Sequence, residues 1–253
     1  MISEDFLQSL VGQRLPKPVS GNLSGHAAGE PFDQCVYQVL KQQYQGVFRQ
    51  HEYLNDLYLK NPKHITLKER QQLFESPTVM FLLSRGKEAT EHWNEQQLFS
   101  EKQNDTADIL IKNSDDGYYY LLDVKTKNAG KKSQPPNIIS AYKLAQLCAL
   151  MIDNQDYAAF SLNYLQVDWQ LDNDFLVIQK AYQANLFQCS PSDLYINWAA
   201  AMQVQFQVAE VDQSFDQGVE AWARAYLSHF VGSAKARAAQ MIEKFVKPFE
   251  KYL

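Results

Sequence analysis

Residues 106–127 read TADILIKNSDDGYYYLLDVKTK, and no other stretch constrains the fold as tightly. Two runs rich in aliphatic, aromatic and β-branched residues flank NSDDG, a cluster of turn formers. TADILIK and YYYLLDVKTK are therefore expected to be the strands of an antiparallel hairpin. If Asn113 pairs with Tyr118 across a four-residue turn, the same register sets Asp108 opposite Asp123. Opposed residues have Cβ atoms about 4.5–5.5 Å apart. Side chains two apart on a strand share a face, so Lys125 joins Asp123. Two carboxylates and one ammonium thus converge on a small patch.

Carboxylates side by side repel, and partial burial raises the cost. A divalent cation resolves this. An all-oxygen donor set without Cys or His favours magnesium, with manganese able to substitute, over zinc. We expect that ion at Asp108, Asp123 and Val124, which follows Asp123 directly. Lys125 beside it could orient or activate water and stabilise charge growing on a phosphate, which points to phosphodiester hydrolysis. A surface salt bridge on an edge strand would also place Asp and Lys two apart. The apolar run Tyr118–Leu122 favours the first reading, because it anchors Asp123 at the end of a core strand. So do Lys127, Lys131 and Lys132, which phosphates nearing the site would meet.

The formal charge of −5 leans against a phosphate-coating protein, but charges can segregate. Lysines and arginines gather after the second strand and again at Lys235, Arg237, Lys244, Lys247 and Lys251, while EVDQSFDQGVE carries acid. Cys35, Cys148 and Cys189 are far apart and suit buried thiols in a reducing compartment. There is no run of eighteen apolar residues and no secretory pattern at the start. A cytoplasmic chain without membrane attachment is expected.

Elsewhere the pattern predicts helices at about 4–12 and 31–47, with Pro31 in the first turn of the second. Residues 50–100 read as broken helices, one capped by Thr66 and one within SPTVMFLLSRGKEATEHW. A helix is expected from about Asn137 through PPNIISAYKLAQLCALMID. AAFSLNYLQVDWQ and DFLVIQKAY read as two strands, and two helices, at about 215–230 and 233–246, close the chain before Pro248. Strands and helices mixed without regular βαβ alternation give one α/β or α+β domain.

Several residues carry two readings. Glu30 suits the start of a helix as a carboxylate near the positive dipole end, or as a support for Lys125 or a second metal. Gln134, Pro135, Pro136 and Asn137 form either a plain loop with a cap or a reader of adenine edges. Tyr195 and Asn197 alternate with Leu194 and Ile196, so their polar face meets solvent or a groove. Lys87 beside Gly86 either contacts phosphate or solvates a helix end.

With these residues in view, the chain resembles the type II restriction endonucleases of the HincII type. The resemblance rests on LSGHAAGEPF, HEYLNDLYLKNP, FLLSRGKEATEHW, EKQNDTADIL, LLDVKTKN, PPNIISAYKLAQ, DLYINWAAAMQ and FVKPFEKYL, and so covers nearly the whole length. It implies the restriction-endonuclease core of PD-(D/E)XK nucleases: an α/β fold with a mixed β-sheet flanked by α-helices, in a single domain over 1–253. The DNA-recognition and dimerisation elements would be built into that domain. It further implies a homodimer that reads GTYRAC in double-stranded DNA and cuts both strands at the centre, leaving blunt ends. A cognate DNA methyltransferase is the expected system partner.

By the same resemblance Asp108 and Asp123 are the metal-binding acids and Lys125 the catalytic lysine. Asn137, Tyr195 and Asn197 are major-groove contacts, Gln134 wedges between bases beside the site, and Lys87 meets phosphate. The chain departs from the family pattern in a hairpin two residues longer and in Ser133, where a small alanine is usual. An even insertion preserves the face of Asp123. Two rivals remain at this point: a repair or structure-specific nuclease with the same chemistry, and a DNA-binding module without catalysis.

Overall fold

The structure is a computed structural model describing residues 2–18, 26–50, 52–53, 76–83, 107–112, 117–199 and 202–253, with main chain only at 26–28 and 80. The expected hairpin is its centre. Strand β3 (Ile109–Lys112) pairs antiparallel with β4 (Tyr119–Asn128), with Ile109 opposite Leu122 and Lys112 opposite Tyr119. That is the register expected from the sequence; the turn at 113–116 and the helix expected from Thr66 lie outside the described residues.

Among the described residues β3 and β4 belong to a sheet of six strands. It includes β1 (Arg14–Pro16), β2 (Val47–Arg49), β6 (Phe160–Asp172) and β7 (Phe175–Asn185), in the order β1-β7-β6-β4-β3-β2. Gly46 leads into β2 at φ +67°, and a Cβ there would lie 2.2 Å from the carbonyl oxygen of Lys112. A glycine is therefore required where β2 closes on β3. Asn173 turns β6 into β7 in the left-handed region, φ 52°, which asparagine tolerates.

Among the described residues only β4 and β6 run parallel. Parallel neighbours need a long crossover, and residues 129–159 supply it. They hold a loop, β5 (Asn137–Ser140) and helix α4 (Ala141–Asn154). The helix thus begins four residues later than the expected start at Asn137. The Ser140 hydroxyl caps it by accepting the Lys143 N–H at 3.3 Å. Pro135 and Pro136 favour extended backbone before them, and the β-branched pair Ile138–Ile139 completes a strand. β5 pairs with β9 (Gln203–Gln205), which pairs with β8 (Tyr195–Asn197), in a second sheet ordered β5-β9-β8.

Helices α1 (Glu4–Leu10) and α2 (His26–Gln43) cover one face of the large sheet. Phe6, Leu10, Phe32, Val36 and Leu40 pack there against Ile109, Leu122, Leu165 and Trp169. Pro31 lies inside α2, because a helix can extend back past a proline near its amino end at the loss of one hydrogen bond. The other face packs Leu110, Leu121 and Tyr164 against α3 (Pro77–Leu83), α4, α5 (Gly218–Met241) and the apolar side of the small sheet, Ile139, Ile196 and Val204.

α5 replaces the first and most of the second expected terminal helix. Gly232 costs only about 1 kcal/mol in a helix interior, and the neighbouring Ser233 hydroxyl accepts the Trp198 indole N–H at 2.8 Å. A wide π turn, Ile242–Val246, then leads into α6 (Lys247–Glu250). Pro248 sits in the first turn of α6 instead of ending a helix. Its missing N–H deprives a carbonyl one turn back of its partner, which accounts for the widened turn.

Candidate active site

The odd-numbered residues of β4 continue one face of the sheet. Tyr119 and Leu121 are buried in the core with α4, and Asp123 and Lys125 extend that face beyond it. Asp108 precedes β3 and lies on the same side. Its Oδ2 accepts the main-chain N–H of Val124 at 2.8 Å, and the Asp123 carboxyl is close enough to raise its pKa. Lys125 Nζ stands 2.7 Å from Asp123 Oδ2, the two side chains being only 19% and 15% exposed. The trio expected from the sequence is therefore assembled. On β6 the buried Tyr164 lies beside Asp123 and Gln166 beside Lys125. Gln166 donates to Asp168 at 2.7 Å and accepts the N–H of Val208 at 3.2 Å.

Burial, and then the charge and hydrogen bond of Asp123, push the Asp108 carboxyl up to about 7, against the Val124 N–H and the Lys125 charge, which pull it down. A buried carboxyl raised in this way beside a second carboxyl fits a divalent cation, which would favour the ionised form. Among the described residues no three His, Cys, Asp or Glu side chains cluster. Further donors would be the Val124 carbonyl, water or phosphate oxygen, as suits magnesium.

The raised pKa of Asp108 has a thermodynamic sign. The folded chain binds a proton on Asp108 more tightly than the unfolded chain, whose carboxyl titrates near 3.8. Stability of the metal-free protein should therefore fall as pH rises from about 4 to about 7. Thermal unfolding in a chelator across this window should show that slope, and Asp108→Asn should flatten it. An unchanged slope in the variant would contradict the assignment.

The other candidates separate. Asn137, exposed at the start of β5, and Asn197, half-buried on β8, are joined through Gln205 on the central strand β9. Asn197 Nδ2 donates to Gln205 Oε1 at 3.1 Å, and Gln205 Nε2 donates to Asn137 Oδ1 at 2.7 Å. Tyr195, 62% exposed, lies opposite Gln205 on the same face. Gln134 is exposed in the loop before β5, and Lys131 and Lys132 are exposed beside it. Lys127 instead pairs with Glu210 at 3.8 Å. Glu30 is exposed on α2 and, among the described residues, forms no ion pair with Lys125. Lys87 lies outside the described residues.

Two residues escaped the sequence reading. Gln205 gives no signal until β9 is known to lie between β5 and β8. Gln50, fully buried, accepts the Ala107 N–H at 2.9 Å and so fixes the backbone just before Asp108. It stands beyond the end of β2, and only the β2–β3 pairing brings it there.

The family described as Restriction endonuclease HincII matches residues 6–253. This chain belongs to that family. The match runs from α1 through α6 and includes both the acid pair and the small sheet. The Type II restriction enzyme HindII of Haemophilus influenzae strain Rd is 56% identical over 253 residues, covering 100% of this chain and 97% of that protein. The Type II restriction enzyme HincII of Haemophilus influenzae is also 56% identical, with the same coverage. The fold is accordingly the mixed, helix-flanked sheet of restriction endonucleases, and the HincII-family chain is a type II restriction endonuclease. The NlaIV restriction endonuclease aligns at 14% identity with a TM-score of 0.28, over 52% of this chain and 56% of that one, too loosely to add to this.

Proposed function

We propose that this enzyme cuts both strands of double-stranded DNA at the centre of GTYRAC and leaves blunt ends, with Asp108, Asp123 and Lys125 as its catalytic centre. The carrying observation is the convergence of two carboxyls and one ammonium on a single half-buried face, with Asp108 raised to about 7. Asp108, Asp123 and the Val124 carbonyl would hold magnesium, or manganese in its place. When bound, the ion polarises a phosphate and eases proton loss from water. Asp123 holds the Lys125 ammonium in place at 2.7 Å. From there Lys125 can orient the attacking water and offset the negative charge that grows on the phosphate.

Recognition falls to the small sheet and the loop before it. Asn137, Tyr195 and Asn197 form the polar face that reads base edges in the major groove, Gln134 wedges at a base step, and Lys87 meets phosphate. The whole acts as a single nuclease domain with these elements built in. One catalytic centre per chain and two symmetric cuts call for a homodimer. Among the described residues no helix is long and apolar enough to cross a membrane. A cytoplasmic site of action, beside a cognate DNA methyltransferase that shields host DNA, follows from the proposed substrate.

Digestion of a random duplex library with magnesium, followed by end sequencing, tests this reading. Blunt ends centred in GTYRAC are expected, with two chains per duplex in sedimentation. Ends without a fixed palindrome would replace it with a structure-specific nuclease. No cleavage at all would leave only a binding protein.

A further inference from the structure

The amides on the small sheet form a relay with a direction. Its start is fixed chemically: the main-chain N–H of Ala199 can only donate, and it donates to Asn197 Oδ1 at 3.1 Å. The Asn197 side chain is thereby oriented, with its nitrogen as the remaining group. That nitrogen donates to Gln205 Oε1 at 3.1 Å, which orients Gln205 in turn. Gln205 Nε2 then donates to Asn137 Oδ1 at 2.7 Å. At each step a side-chain amide has one oxygen and one nitrogen, so occupying one fixes the other. The last residue, Asn137, is exposed and is left with its NH₂ group to present outward.

We infer that Gln205 is a specificity-determining positioning residue: it locks the Asn137 amide with nitrogen outward, so that this face seeks a base edge bearing acceptors. Guanine offers acceptors alone, N7 and O6, on its major-groove edge, and is the base this donor fits. The inference rests on the proposed reading of DNA by this sheet and adds to it the polarity of one contact and the residue that sets it. The side chain of Gln205 faces Asn137 and Tyr195 in register, whereas Ile139, Ile196 and Val204 point into the core on the other side. Its role is therefore separable from packing.

Gln205→Glu provides the test. A glutamate still accepts from Asn197 but cannot donate, so the Asn137 amide rotates to give it the NH₂ group and turns its own oxygen outward. Asn137→Asp reaches the same outward acceptor directly. Single-turnover cleavage is measured on the parental site and on sites with each outer base pair replaced in turn, alongside thermal unfolding. Both variants should lose about 10- to 100-fold in rate on the guanine-bearing site and should narrow the gap between guanine and cytosine at one outer position. Their unfolding midpoints should stay near parental. Gln205→Met, which removes the relay without adding charge, should lose guanine preference without gaining a new one, and it decides the matter if the glutamate variant fails to fold. A parental profile for Gln205→Glu beside an altered one for Asn137→Asp would overturn the relay. Unaltered profiles for both would instead show that the sheet does not read this base, and the proposed contact would fall with the inference.

Discussion

Lys125→Ala should cut duplex DNA about 10²–10³-fold more slowly, the loss typical of removing one preorganised charge-stabilising donor, while binding DNA nearly as well in calcium. The ammonium lies 2.7 Å from Asp123 at the edge of the core. In the proposed mechanism that is where charge on a phosphate would grow, so the substitution should cost chemistry more than binding. Its loss leaves Asp123 without a counter-charge beside Asp108, which favours the protonated pair and weakens the hold on a cation. Raising magnesium should consequently recover part of the rate but not all of it. Single-turnover cleavage and calcium-supported binding, measured on the same preparation, check this. A variant that cuts at the parental rate would remove Lys125 from the chemistry.

The acid pair should show the opposite effects on stability and activity. Asp108→Asn keeps an oxygen for the Val124 N–H, so the local backbone stays tied. It also removes one of two carboxyls that repel in a half-buried site. In a chelator at neutral pH this variant should unfold at a higher temperature than the parent, because Asp108 is raised to about 7 by burial and by Asp123. With magnesium the order should reverse, since the parent gains stability from the bound ion and the variant does not. Cleavage should be lost almost completely, and Asp123→Asn, which also frees Lys125, should be as inactive. Melting curves with and without the ion, together with a magnesium titration of cleavage, decide the point. An ion-dependent rise in both variants equal to that of the parent would place the metal elsewhere.

How far the sequence could be read depended on how local each contact is. Asp108, Asp123 and Lys125 lie in one hairpin, so alternation and a turn signal sufficed to bring them together and to set the register. β5 took a helical reading because its partner β9 lies far along the chain, and nothing near Asn137 announces the pairing. Gln205 stayed hidden for the same reason, although Asn137 and Asn197, which it joins, were both singled out. The closing helix ran on through Gly232 because a lone glycine weakens a helix by less than its neighbours stabilise it. Pro248 marked a real irregularity, but its effect falls in the turn before it, where the helix widens without ending.

The parallel pairing of β4 with β6 also sets an order of assembly. The hairpins β3–β4 and β6–β7 each close over short loops, on the microsecond scale expected of hairpins. Joining them requires the chain over 129–159 to fold back on itself, a slower step because loop-closure entropy is lost before any parallel contact forms. The two acids and the lysine should therefore meet early, while still in water, where neighbouring carboxylates repel only weakly. β6 should then dock with Tyr164 and Gln166 alongside them, and only at that late step would the trio become largely buried. Refolding in a chelator should thus take up a proton at this late step, near neutral pH, making proton uptake a clock for the closing of the sheet.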